Sequence, residues 1–335
     1  MNYLYWERIK DNICNFCIKN MNLSIMITGQ MRTFFTQEIQ ESFTQMIRLS
    51  KMNYKNIVVI LVINDDYDES ILQMLFASLN IPVLIIDYKK YNHEYEELMQ
   101  SKMKNSDYNK LKQQYFEKNT RATREVYSID DNLRLTNIQA HQLKVAIDML
   151  LQYEKQNDIT YDIMMKTRFD IMYPMLFFPH VPEGSIITKI LFDEALKERF
   201  LKKMNKYNIP INMEALIHFL KEQRVNEENC RVNFDMLDFT FGGHFCYNYK
   251  SLENINNGSN RILYLFNDFY FFGKRETFLT LESFSDEYCM KPTNIDAIHF
   301  YIPEIQLCIF CDNHDIDYIM YHPVADGKLV YCPIR

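Results

Sequence analysis

The stretch Ile57-Val58-Val59-Ile60-Leu61-Val62-Ile63-Asn64-Asp65-Asp66 runs through seven apolar residues and stops on three polar ones. A bilayer-spanning helix takes ~20 residues, so this run predicts an interior strand. Its β-branched side chains point to a strand covered on both faces, the kind found in parallel sheets with helical crossovers. The flanks agree. Upstream, Leu23-Ser24-Ile25-Met26-Ile27-Thr28 ends at Gly29, and over residues 34–49 Phe35, Ile39, Phe43, Met46 and Ile47 recur at near-helical spacing. Downstream, a helix is predicted over residues 70–79 and a third strand at Val83-Leu84-Ile85-Ile86-Asp87. The alternation β-α-β-α-β predicts a doubly wound α/β sheet with ligands at the carboxyl ends of its strands.

Beyond this core, residues 88–131 turn polar and Tyr/Lys-rich, reading as an excursion from the sheet or a mobile lid. Residues 138–153 carry Ala140, Leu143, Ala146, Ile147 and Leu150 on one face of an amphipathic helix. Residues 161–170, Tyr161-Asp162-Ile163-Met164-Met165-Lys166-Thr167-Arg168-Phe169-Asp170, read as a strand breaking into a charged turn. A Lys/Glu-rich helical insertion over residues 189–230 is split near Pro210. Strand-like segments return at residues 236–249 and 261–272, a helix at 302–314 and a last strand at 318–321.

Composition narrows the function classes. The 335 residues are 47% hydrophobic and 24% charged, with only 7 Gly and 9 Pro, which excludes a disordered or collagen-like chain. Lys and Arg number 37 against 44 Asp and Glu, a net charge of −7 that repels a nucleic-acid backbone. The first residues lack a basic, apolar secretory signal, and no apolar run is long enough for a transmembrane anchor, so a soluble, cytoplasmic protein is expected. Abundant Ile, Asn, Lys and Tyr with scarce Ala and Gly is the bias of AT-rich coding, as in a large DNA virus or an AT-rich microbe. For a viral protein the location would be host cytoplasm or virion. The 8 cysteines are expected as reduced thiols. Cys14/Cys17 and Cys308/Cys311 have the C-x-x-C spacing of a zinc site, but neither has a knuckle glycine, and buried core thiols are the default reading.

Several residues could carry chemistry. Thr28-Gly29-Gln30-Met31-Arg32 sits where the first strand enters its helix. The glycine admits a ligand to the backbone, the helix N-terminus favours anions, and Arg32 can pair with phosphate. A tight turn with a surface Arg is the alternative. Neither a Walker loop nor a G-x-G-x-x-G fingerprint is present, which disfavours a methyltransferase or dehydrogenase. Arg168 and Asp170 fall on one side of their segment, as a phosphate or cation site or as a salt-bridged turn. Asp65, Asp66 and Asp87 end the second and third strands at the expected ligand edge, or are solvated loop acids. Gly242-Gly243 could let a ligand approach the backbone at Gly243 beside His244, or the pair is a bulge.

Taken together, these segments resemble the GT-A-fold glycosyltransferase-like proteins of bacterial and giant-virus surface glycan synthesis. The features that carry the resemblance are Gly29 to Arg32, Gln139 and Gln142, Tyr161 to Asp170, Asn267 to Glu276, and Pro303-Glu304, in that order over most of the chain. The resemblance implies a GT-A-like (Rossmann-like), mostly parallel mixed sheet flanked by helices, with the insertion at 189–230. It implies one continuous domain in which residues 1–20 are an extension, 21–188 the nucleotide-sugar half, and 231–335 the acceptor half and C-terminal cap.

The implied activity is transfer of a sugar from a UDP- or GDP-linked donor to a glycan or other hydroxyl acceptor. The alternative is a weak or inactive nucleotide-binding protein on the same scaffold. Thr28, Gly29, Gln30, Arg32, Asp65, Asp66, Asp87, Gln142, Lys166, Arg168 and Asp170 are the expected donor-side residues. Asp170 stands at the last acid of the usual Asp-x-Asp metal motif, while Arg168 replaces the first. Either Asp170 holds Mn²⁺ or Mg²⁺ with substrate oxygens and water, or cationic side chains such as Arg168 and Arg32 neutralise the phosphates instead. Asp268 is the first candidate for the base that takes the acceptor proton, and Glu304 the second; a structural acid and a helix-N-terminal acid are their alternatives.

Overall fold

In β2 (Asn56–Ile63) every residue after Asn56 is buried. Parallel strands flank it on both edges, β1 (Asn22–Gly29) and β3 (Val83–Asp87), and helices cover both of its faces. Each fully enclosed Val, Ile or Leu contributes about 1.5–3 kcal/mol of transfer free energy. The structure, a computed structural model, describes residues 20–31, 34–105, 108–110, 112–113, 129–170, 245–247, 254, 259–265, 270–288, 303–321, 324–325 and 328–329.

The helices between these strands follow from their sequence. In α1 (Gln37–Asn53), Ile39, Phe43, Met46 and Ile47 form the buried stripe. The helix begins later than the apolar spacing suggested, because Phe34 turns inward before it and packs edge-on against Phe43 and Phe169. In α2 (Glu69–Leu79), Asp68 caps the start by accepting from Ser70 N and Ile71 N, and Asn80 ends it in the left-handed conformation. Leu72, Phe76 and Leu79 face inward.

After β3 comes a 3₁₀ turn (Tyr88–Tyr91) and then α3 (Asn92–Lys104), which buries Tyr95, Met99 and Lys102. Residues 88–104, the start of the polar stretch, are thus docked helix. The Lys102 ammonium donates to Asn137 Oδ1 at 2.6 Å, to Ser285 O, and to Tyr288 O at 3.1 Å, which ties α3 to both later parts of the chain. The amphipathic helix is α4 (Ile129–Asn157), longer at its start than the periodicity indicated.

β4 (Ile163–Arg168) pairs parallel with β1, and the remaining strands extend the sheet. These are β5 (Phe245–Tyr247), β6 (Ile262–Leu265), β7 (Phe271–Lys274) and β8 (Asp317–Tyr321). Short helices α5 (Arg275–Leu279) and α6 (Phe284–Glu287) follow β7, and α7 (Pro303–Asn313) precedes β8. A small hairpin, β9 (Val324–Ala325) with β10 (Lys328–Leu329), follows β8.

The eight-stranded sheet has the order β3-β2-β1-β4-β7-β6-β8-β5. β3, β2, β1 and β4 run parallel. β7 is antiparallel to both β4 and β6, so β6 and its parallel neighbour β8 point the same way as β4. The fold is therefore α/β with a mixed sheet flanked by helices, compatible with a Rossmann-like arrangement. The chain builds outward from β1 to β3 on one side and resumes at β4 on the other, so the β1/β4 boundary is the topological switch point.

Each face of the sheet has its own core. Leu23, Ile25 and Ile27 of β1 join α1 and α2 in one apolar cluster. Met26 joins α3, α4 and the later helices in the other, so by alternation Ser24 and Thr28 face α4. At 100° per residue, Gln142, Val145, Ala146, Met149 and Leu150 share one face of α4. His141 brackets it on the β3 side, bonded to Tyr88 at 2.7 Å, and Glu154 brackets it on the β4 side, paired with Arg275 at 2.5 Å. No helix among the described residues is long and apolar enough to cross a membrane.

Candidate functional site

The carboxyl ends of the four parallel strands lie side by side, because register pairs Gly29 with Ile63, Ile63 with Asp87, and Thr28 with Arg168. Gly29 has φ +121°, a conformation costly for any residue with a Cβ, and a Cβ placed there would meet nothing within 4 Å. The chain thus bends sharply out of β1 beside open space. Asp65 holds the bend from the next strand: both carboxylate oxygens accept from Met31 N, at 3.0 and 2.9 Å, while Asn64 N donates to Gly29 O at 3.1 Å. Asp65 is a turn-holding acid, and exposed Gln30 lies on the loop it fixes.

Along the edge toward β3, Asp66 forms an ion pair with Lys89, and Asp87 accepts from Lys89 N at 3.0 Å. The Lys89 ammonium holds the Asp66 carboxyl below its usual range, and Asp66 in turn raises Lys89. Lys89 was not singled out from the sequence; its position two residues past the third strand is the signal that could have found it.

On the other side of the switch point, Arg168 grips Asp170 with two bonds, Nε to Oδ1 at 2.9 Å and Nη2 to Oδ2 at 2.5 Å. Both side chains are about four-fifths enclosed, with relative exposures of 23% and 20%. The same-side placement expected from alternation is realised as this bidentate pair. It bears on a metal directly, since both oxygens of Asp170 face a guanidinium. Among the described residues no group of three His, Cys, Asp or Glu side chains could hold an ion. These residues do not fit a divalent cation held by protein ligands alone.

Beneath the edge, on the α4 side, lie Thr28, Lys166 and Gln142, all buried. The Lys166 ammonium stands 5.7 Å from the centroid of the Phe271 ring. Neither atom of the Gln142 carboxamide, nor the hydroxyls of Thr28 and Ser24, has a hydrogen-bond partner. The neighbouring His141, one of the histidines without metal-ligand spacing, is buried against Tyr88. Burial lowers its pKa from 6.5 against the opposing pull of Glu94, and burial raises the Tyr88 phenol.

The edge therefore gathers Gly29, Gln30, Asp65, Asp66, Asp87, Arg168 and Asp170, with Thr28, Lys166 and Gln142 one layer below. Arg32, Asp268, Gly243 and His244 lie outside the described residues, as do Cys14 and Cys17. β6 ends and β7 begins at this same carboxyl edge, on either side of residues 266–269. Glu304 lies in the first turn of α7, and its side chain is outside the described set. Cys308 and Cys311 are buried on α7 and form no disulfide, with burial raising the pKa of Cys311. Chemically, the edge offers a sharp glycine bend open to a ligand, one guanidinium, and a row of carboxylates suited to hydroxyls. No protein-family profile, curated protein or solved structure matches the chain.

Proposed function

We propose that this protein is a glycosyltransferase of GT-A type that moves a sugar from a UDP- or GDP-linked donor to a hydroxyl acceptor. The observation that carries the reading is the switch point. There the open bend at Gly29 and the Arg168–Asp170 pair sit on adjacent parallel strands in register. Ligands of open α/β sheets bind in that crevice.

In this reading the diphosphate lies over the ends of β1 and β4, and Arg168 faces it. The acceptor oxygen attacks the anomeric carbon, and the bond from that carbon to the diphosphate oxygen breaks with its electron pair going to phosphate. A guanidinium fixed by a carboxylate is pre-oriented for the charge that develops on the leaving group. Asp268 is the proposed acceptor of the hydroxyl proton, with Glu304 second. Asp66 and Asp87, on the β3 side, are proposed for ribose hydroxyls or base. In this reading the guanidinium meets the phosphate charge, and Mn²⁺ or Mg²⁺, which Asp170 would help to hold together with substrate oxygens, is tested in the same assay.

One observation favours the second reading, a nucleoside diphosphate-binding protein without turnover: Asp170, the remaining acid of the metal motif, is already engaged by Arg168. Calorimetric titration with UDP, GDP, ADP and CDP, with and without Mn²⁺, tests the shared premise, and binding to none of them overturns both readings. Product formation from UDP- and GDP-sugars with mixed glycan acceptors then separates them, since binding without transfer or donor hydrolysis leaves only the second.

A further inference from the structure

The buried polar atoms beneath the edge point to a function of their own. On α4, Gln142 lies on the same helical face as Val145, Ala146, Met149 and Leu150, which belong to or pack against one apolar cluster. Gln142 is 1% exposed, and both its amide nitrogen and its oxygen lack partners. Thr28, fully buried on β1 and facing the same layer, carries a third unpartnered polar atom. Leaving such groups dry and unpaired is costly.

The height of Gln142 is fixed by its helix. Glu154 Oε1 accepts from Tyr161 N at 2.8 Å, which sets the end of α4 level with the start of β4. Gln142 lies about 18 Å back along α4 at ~1.5 Å per residue. The same distance along β4 is about five residues at ~3.3 Å each, which brings Gln142 to the level of Lys166 and Thr167. Thr28 pairs with Arg168 in the neighbouring register, and the next residue is Gly29, beside which space is open. The unpaired amide and hydroxyl therefore lie just inside the mouth of the switch-point crevice.

We infer that Gln142 and Thr28 form an inner subsite that reads the hydroxyl groups of a ligand sugar ring entering past Gly29. The inference rests on the proposed binding of a nucleoside diphosphate or its sugar conjugate at this edge. The chemistry suits hydroxyls. A carboxamide offers one acceptor and two donors, a threonine hydroxyl one donor and two acceptor positions, and a hydroxyl both donates and accepts. Vicinal hydroxyls can satisfy both side chains at once without bringing a second charge next to Lys166. A site built this way rejects an analogue lacking the hydroxyl, because the buried amide is then left unpaired again.

Two rings could supply the hydroxyls, the ribose of the nucleotide and the donor sugar, and the test separates them. Titrations compare UDP with 2′-deoxy-UDP, GDP with 2′-deoxy-GDP, and each diphosphate with UDP-glucose or GDP-mannose, using wild type, Gln142→Leu and Thr28→Val. The wild type should prefer either the ribonucleotide or the sugar conjugate by about tenfold or more. Gln142→Leu should reduce that preference to less than about threefold. It should also raise the ligand-free melting temperature by about 2 °C, since an unpaired amide has been replaced by an apolar group. Thr28→Val, which removes only a hydroxyl, should act in the same direction.

If the amide serves only a buried water, the preference survives in both variants, and the inference is overturned while the proposed function stands. A wild type that binds diphosphates with no preference overturns it equally. Absence of all diphosphate binding overturns both. A Gln142→Leu chain that fails to fold leaves Thr28→Val to decide.

Discussion

Replacing Asp170 by Asn changes one atom and gives opposite results for the two ways a diphosphate charge could be met. Asp170 holds Arg168 by bonds of 2.9 and 2.5 Å. A diphosphate that binds Arg168 must compete with that carboxylate and also sits near its charge. Two unit charges ~4 Å apart interact by ~4 kcal/mol at an effective dielectric of ~20. The pair is about one-fifth exposed, and solvent screening and the cost of holding both chains reduce the net to about 1–2 kcal/mol. Asp170→Asn should therefore tighten UDP or GDP binding about 5- to 30-fold in the presence of EDTA, read by calorimetry at ~0.15 M salt. Arg168→Gln should weaken it by a similar factor. If Asp170 instead brings a metal to the diphosphate, Asp170→Asn weakens binding and abolishes any gain from added Mn²⁺. Weaker or unchanged affinity in Asp170→Asn refutes the guanidinium argument.

Two further tests address the scaffold. A Cβ on Gly273 in β7 would stand 3.0 Å from Ile262 O and 3.3 Å from Leu263 Cδ1. Gly273→Ala should therefore cost about 1–3 kcal/mol in urea unfolding, and unchanged stability would mean that β6 and β7 do not approach this closely. His141 is held neutral by burial with its pKa below 6.5, so the unfolded chain binds its proton more readily. The stability from neutral His141 is complete above about pH 6.5, is lost as pH falls through that value and levels off below the folded pKa. His141→Gln should flatten the urea midpoint between pH 7.5 and 5.5 relative to wild type, and an equally steep wild type and variant would exclude His141 as the source.

The parts of the fold legible in sequence are those where one local signal outweighs the rest. β2 is seven apolar residues that no surface strand would carry, and α2 announces its start with Asp68 and its end with Asn80. The stretch over residues 261–272 read as strand throughout because its apolar residues continue, yet β6 stops at Leu265 and β7 starts at Phe271. β6 and β7 pair antiparallel, and the Asn267-Asp268 between them is a weaker turn signal than a glycine or proline dipeptide. Gly273 lies within the segment from Asn267 to Glu276, but the close approach that a Cβ there would meet, the carbonyl of Ile262, belongs to another strand.

Gly29, Asp65, Asp66, Asp87 and Arg168 share the carboxyl edge because in parallel strands sequence position sets the height at which each run stops. Which acid faces which cation was not legible. Asp65 holds the Met31 amide, Asp66 meets Lys89 and Asp170 meets Arg168, and only the last pair is close in sequence. The burial of Gln142 was hidden for the same reason. On the helical wheel it looks like the polar margin of an apolar stripe, whereas in the fold it is 1% exposed.

The strand order also sets a timetable for synthesis on the ribosome. β3, β2 and β1 can zip together as soon as residues up to 87 have emerged, and α4 with β4 completes a four-stranded parallel unit by residue 168. β5 is different. It is made before β6 and β7, yet among the described residues it pairs in the sheet with β8, more than 60 residues later. Until the C-terminal segment is translated, the described partner of residues 245–247 does not exist. A translation arrest between β7 and β8 would then leave an edge available to a second nascent chain, and that interval is where chaperone dependence and aggregation should concentrate.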